Sequence, residues 1–271
     1  MKKITIIMSA LAVITTAFAS YGATLGQKQL LKINAATYES AGKIGKKGTI
    51  YIGGSVNKIE QDYVDGNIGG GGQLELALNV FQSKDKVFGL DVALPVNYSY
   101  FSASEGVTGY DIASIKYNRV DIPVQIRPYF RHAFSKNFMI TPFVFASAGV
   151  GIHSSQLQSF WGDVSENGAC LSYNFGGGVE FQLYKDVAIT PKFTYFGTSG
   201  LDDDFSFPPY RISNTTLAGI NKNYEFAIEG AVKLVRGWTF VAEYAYQFNG
   251  EGYCVDDINA HIVRAGIRFG F

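Results

Sequence analysis

Apolar and polar side chains alternate in steps of two along most of this chain, the period of a β-strand with one face in an apolar environment. The clearest run is 119–131. Val120, Ile122, Val124, Ile126, Pro128 and Phe130 fall on one face, and Arg119, Asp121, Gln125, Arg127, Tyr129 and Arg131 fall on the other. On a helix the same apolar set would scatter around the cylinder. Similar runs cover 74–80, 88–100, 171–183, 187–195, 224–234, 238–248 and 263–271. Two weaker runs complete the set. In 138–152, Phe143 and Phe145 sit on the nominally polar face, and 49–58 is interrupted by Gly53 and Gly54. Ten strands are therefore expected.

The connections are of two kinds, and they alternate. Tight polar turns fall at Ser83-Lys84-Asp85, Ser135-Lys136-Asn137, Tyr184-Lys185-Asp186 and Arg236-Gly237. Long segments fall near 59–70, 102–114, 154–169, 197–222 and 249–258. A soluble sandwich would bury its apolar faces between two sheets. Short turns at one end and long loops at the other are instead the plan of a barrel whose apolar faces meet lipid. The expected fold is all-β: an antiparallel up-and-down transmembrane β-barrel of ten strands over 48–271, with eight or twelve strands as alternatives. Charge follows the same division, with Lys84, Lys86, Lys136, Lys185 and Arg236 at the turns and Glu60, Asp62, Glu105, Asp163, Glu166, Asp256 and Asp257 in the loops. The acidic rim suits either a contact zone for divalent cations and lipopolysaccharide or ordinary solvated loop charge.

Composition agrees. Charged residues make up 17% of the 271, below the quarter or so usual in soluble domains, while aromatics reach 15% and glycines number 31. A net charge of zero offers no basic stripe for nucleic acid. Lys2 and Lys3, the apolar stretch Ile4 to Phe18 and the small-x-small site Ala17-Phe18-Ala19 read as an export signal over 1–19. Beyond it no stretch approaches the eighteen or so apolar residues of a membrane helix. Residues 20–47 alternate little, carry five lysines from residue 24 onward, and are expected to form an N-terminal periplasmic segment.

The chain ends Arg264-Ala265-Gly266-Ile267-Arg268-Phe269-Gly270-Phe271. Arg264, Gly266, Phe269 and Phe271 resemble the signature by which outer-membrane barrels are recognised for assembly: polar, x, Gly, x, x, hydrophobic, x, aromatic. Together with the run VDIPVQIRPYF (120–130), the turn SKN (135–137) and the run TPFVFASAGVG (141–151), the mature region resembles the broad outer-membrane β-barrel family that includes OmpA-like and opacity-type small porins. The resemblance implies fold and a place in the outer membrane of a Gram-negative cell envelope. It also implies lipid and lipopolysaccharide as surroundings and the barrel-assembly machinery as a partner during insertion. Members differ in activity, so it implies no function. The chain is longer than the eight-strand members.

The polar faces carry the remaining information. They hold the acids Glu75, Asp91, Asp121, Glu180, Glu225, Glu229 and Glu243 and the bases Arg119, Arg127, Arg131, Lys192, Lys233, Arg264 and Arg268. Acids and bases in equal number suit an interior salt-bridge network, because unpaired ions in a narrow lumen carry a heavy desolvation cost. A selective pore would show one sign in excess. The expected function is a structural or surface-interaction role, with a largely filled lumen and external loops able to contact a ligand. The alternative is a narrow diffusion channel. A third reading, an outer-leaflet lipid hydrolase, rests on His153, Ser155 and Glu166, which resemble the His-x-Ser pair and acid of lipid A deacylases. Asp202-Asp203-Asp204 lacks the nearby His of an omptin-like protease. No cofactor or metal is expected, since no ligand spacing is present and Gly42-Lys43-Ile44-Gly45-Lys46-Lys47-Gly48-Thr49 fails the phosphate-loop pattern. Cys170 and Cys254 both fall on the loop side, where export through an oxidising compartment permits a disulfide.

Overall fold

The alternation closes into a cylinder of ten antiparallel strands. The computed structural model describes residues 41–60, 68–107, 112–159, 162–200, 205–207, 210–212, 222–251 and 258–271. Residues 1–19, expected as an export signal, residues 20–40 and Cys254 lie outside these. In order the strands are β1 (Gly48–Glu60), β2 (Ile68–Gln82), β3 (Phe88–Val107), β4 (Ile112–Phe130) and the two-residue β5 (His132–Ala133). There follow β6 (Phe138–Ser159), β7 (Gly162–Leu183), β8 (Val187–Gly200), the short hairpin β9 (Phe205–Phe207) and β10 (Tyr210–Ile212), β11 (Lys222–Val235), β12 (Trp238–Glu251) and β13 (Ile258–Gly270). Each wall strand pairs with its neighbour in sequence. β4 reaches past β5 to β6, and β8 pairs with β11 past the β9–β10 hairpin. The seam closes where β1 meets β13, from Thr49 opposite Gly270 to Glu60 opposite Asn259.

The two faces of the wall differ as the alternation requires. Outward positions are apolar and exposed, with Ile52 at 64% and Val263 at 57%. Leu74, Leu76, Val124, Ile126, Val150 and Phe240 stand out in the same way. In water so continuous an apolar surface would promote association; in a bilayer it is the required solvent face. Aromatics collect at both ends of this band. Near the short turns Trp238 lies against Phe269 at 4.9 Å, and Phe88 against Phe130 at 5.3 Å. Toward the loops Phe175, Tyr195, Tyr224 and Phe248 form a chain of ring contacts across β7, β8, β11 and β12.

The strands run further than the alternation predicts. β6 and β7 have 22 residues each, about twice the roughly 9–11 that a membrane crossing needs. Segments 102–114 and 154–169, expected as long loops, are mostly strand, with only 108–111 and 160–161 outside the described elements. The reason is that these stretches are mostly polar in sequence and carry no sustained alternation, so the backbone ladder continues where the period-two signal stops. On β6 the outward apolar run ends at Ile152 and gives way to Ser154. On β7 it begins at Ala169 after Asn167. Ile152 is paired with Ala169 and Ser154 with Asn167, so both strands cross the boundary at one level. β3, β4, β6 and β7, of 19 to 22 residues, stand as a tall panel beside strands of 13 to 15.

Candidate functional site

Alternation places all fourteen predicted charges on the inner face, and the structure brings most of them into named pairs. On one side of the bore Arg127 of β4 faces Glu75 of β2 at 3.5 Å. On the other, Arg268 of β13 meets Glu229 of β11 at 2.5 Å, Arg264 meets Glu225 at 2.9 Å and also bonds Glu243 of β12, and Lys192 of β8 meets Glu243 at 2.5 Å. Gln247 donates to Glu225 at 2.9 Å. Nearer the loops Arg119 and Asp121, two residues apart on β4, form a pair at 2.7 Å. Buried ions of this kind are retained only when paired and hydrogen-bonded.

Asp91, Glu180 and Arg131 are held differently, by residues 41–47. Residues 41–47 belong to the stretch 20–47 that the sequence assigns to an N-terminal periplasmic segment, and they cross the mouth of the bore at the short-turn end. The Ala41 amide donates to the carbonyl of Lys185 at 2.7 Å, in the turn between β7 and β8. Glu180 of β7 accepts from the Lys43 amide at 2.7 Å and from the Ile44 amide at 3.4 Å. Arg131 donates to the Ile44 carbonyl, and Asp91 of β3 accepts from the Gly45 amide at 2.9 Å. The Asn79 amide on β2 donates to Lys47 at 3.1 Å, and Gly48 then opens β1. Ile44 is buried against Tyr129, Phe143 and Phe145, which explains the two inward phenylalanines of β6. Lys43 reaches Glu229 at 3.4 Å.

Two glycines allow this close passage. Gly45 has φ +66, and a methyl group there would collide with the Arg131 guanidinium and the Tyr129 hydroxyl. One on Gly42 would collide with the Glu180 carboxylate. The motif set aside as a failed phosphate loop is therefore a packing motif. Sequence reasoning missed Lys43, Lys46 and the backbone donors of this segment. An extended run that binds through its own amides leaves no periodic trace, and the paired glycines were the available signal.

Lys46 lies over Gly270 beside Arg268 and Lys233. Burial, then the Arg268 and Lys233 charges, push its pKa down from 10.5 to about 8, with Glu180 opposing. Burial also lowers Lys43, against the pull of Glu229 and Glu75. The charged form of Lys46 is thus disfavoured only while docked. Docking is weakest below pH 8 and strengthens as the pH rises from about 8 toward 10.5. A Lys46→Met barrel should therefore resist urea better than its parent below pH 8, and the advantage should shrink by pH 10.5. An advantage that stays constant over that window would contradict the assignment.

The other candidates resolve as follows. Lys233 is half-buried on the inner row. His153 is buried inside the bore, its ring 6.3 Å from that of Tyr117. Ser155 pairs in register with Glu166, and His153 pairs with Gly168. The strands thus bring the three positions together, but His153 faces the lumen and not the lipid that an outer-leaflet hydrolase must reach. Cys170 is buried and forms no disulfide among the described residues, with Cys254 outside them; it lies beside Arg119 and Asp121, opposite Gly151, whose missing side chain makes room for all three. Asp202, Asp203 and Asp204 lie outside the described residues. Of the C-terminal signature, Arg264 sits in the ion network and Gly266 lies at the seam. Phe269 faces outward against Trp238, and Phe271 exchanges backbone bonds with Gly48 at 3.0 and 3.1 Å.

No protein-family profile matches this chain, and no curated protein matches it in sequence. Solved structures do resemble it. The β domain of the Bordetella autotransporter BrkA is 14% identical over 83% of this chain and 100% of that one, with a TM-score of 0.45. The transport unit of the autotransporter AIDA-I from Escherichia coli is 10% identical over 89% and 96%, with a TM-score of 0.38. Ail, the attachment invasion locus protein of Yersinia pestis, is 15% identical over 82% and 97%, with a TM-score of 0.33. Likenesses at this level assign neither a family nor an activity.

Proposed function

We propose that the chain is an integral outer-membrane β-barrel with a structural or surface-interaction role, its lumen closed and its loop end supplying external contacts. The observation that carries this reading is the combination of an apolar outer band with a bore crossed by residues 41–47 among paired charges. Exported through residues 1–19, the chain would be inserted by the barrel-assembly machinery through its C-terminal strand. It would then meet lipopolysaccharide at its loop-end rim. The reading includes no catalytic chemistry and no cofactor.

The test is single-channel conductance of the refolded mature protein in a planar bilayer, with folding established by heat-modifiable gel migration. Folded protein is expected to be silent. Stable, voltage-tolerant open steps would replace this reading with the narrow diffusion channel.

A further inference from the structure

We infer that residues 41–47 are a removable stopper, and that their withdrawal unmasks a narrow pore with little preference between small cations and anions. This rests on the closed-lumen reading and names what does the closing.

Each wall-to-wall ion pair described above joins strands at most two apart. Arg127 and Glu75 span β2 to β4, while Lys192, Glu225, Glu229, Glu243, Arg264 and Arg268 span β8 to β13. These pairs therefore lie along two panels of the wall and do not cross between them. The stopper does cross. It starts at the β7–β8 turn, passes Glu180, reaches Tyr129, Phe143 and Phe145 on β4 and β6, bonds Asp91 on β3, and ends at β1. Lys43 places its ammonium on Glu229 and within the fields of Glu75, Arg127 and Lys192, which belong to both panels.

Its anchors are suited to release. Apart from Ile44 and Ala41, which pack among apolar wall residues, they are hydrogen bonds and one ion pair, which water entering behind the departing segment can replace. Among the described residues its covalent tie to the wall is the chain itself, where Lys47 runs into Gly48 of β1. The two panels left behind carry four acids and four bases in these pairs, so their charges neutralise one another and give the pore no strong sign.

The experiment compares three mature chains in planar bilayers under a KCl gradient: the parent, Gly45→Val, and a chain beginning at Gly48. Gly45→Val forces a branched side chain onto a left-handed backbone position and into Arg131 and Tyr129. Trypsin reports the state of the stopper through cleavage at Lys43 and Lys46, whose side chains are covered while it is docked. The expected result is a protected, silent parent and two folded variants that conduct, with reversal potentials near zero. Folded variants with the stopper cleaved or absent that remain silent would overturn the proposal, while the closed-lumen reading would stand. A strong shift toward either ion's equilibrium potential would overturn the neutral-panel argument. A conducting parent would instead remove the closed-lumen reading. If neither variant gives a heat-modifiable barrel, the segment is part of the wall and not a stopper, which also overturns the inference.

Discussion

An Arg264→Met barrel is expected to lose about 3–5 kcal/mol of unfolding free energy relative to its parent. Arg264 holds two buried glutamates on neighbouring strands, Glu225 at 2.9 Å and Glu243. Lys192 still covers Glu243 at 2.5 Å after the change. Glu225 then keeps the Gln247 amide, a neutral donor that cannot offset a full charge in a low-dielectric bore. The cost therefore comes chiefly from one stranded carboxylate and much less from the lost attraction itself. Adding Glu225→Gln should recover most of it, because the double variant leaves no uncompensated ion at that position. Urea titration of the refolded proteins in lipid, followed by heat-modifiable migration, reads both numbers. A loss below about 1 kcal/mol in the single variant would mean that lumen water satisfies Glu225 in place of Arg264.

Gly266→Val is expected to prevent the barrel from closing. Gly266 lies opposite Gly53 across the seam, and a methyl group there would strike the Ile52 carbonyl and stand 2.6 Å from the Gly53 Cα. These are backbone atoms, so no rotamer change relieves the contact. β1 and β13 must separate, and overpacking of this kind costs about 3 kcal/mol or more before the lost ladder bonds are counted. The neighbouring Gly54→Ala is the control. Gly54 faces outward, and its added carbon would stand 3.5 Å from the Gly71 carbonyl, so stability should change by no more than about 0.5 kcal/mol. The readout is the yield of compact, heat-resistant protein on refolding. Equal yields from both variants would show that the seam is looser than these contacts require.

Much of this architecture was legible because a membrane wall enforces period two more strictly than a soluble core does. Each residue of 120–130 had one of two solvents to face, and the sequence recorded which. The same rule puts Glu229 and Arg268 on one face, where the structure pairs them. It failed wherever both sides were wet. Ser154 and Asn167 continue a ladder that their polarity hides, so the pattern reads as loop where the backbone is strand. It failed again at Gly42 to Lys47, where the chain binds through amides and a carbonyl, groups that every sequence possesses. Pairing within the network was also beyond reach, because alternation fixes the face of Glu225 but not which arginine approaches it.

Among the described residues, the strands of the panel β3, β4, β6 and β7 extend beyond those of the rest of the wall. From the apolar boundary at Ile152 to the end of β6 at Ser159 is seven residues, roughly 20 Å along the strand. On the far side β12 stops at Glu251, and β13 begins at Ile258. Among the described residues, ordered backbone above the apolar boundary is therefore concentrated on one side, and a partner that adds a strand or grips a ladder finds its longest edge of fixed geometry there.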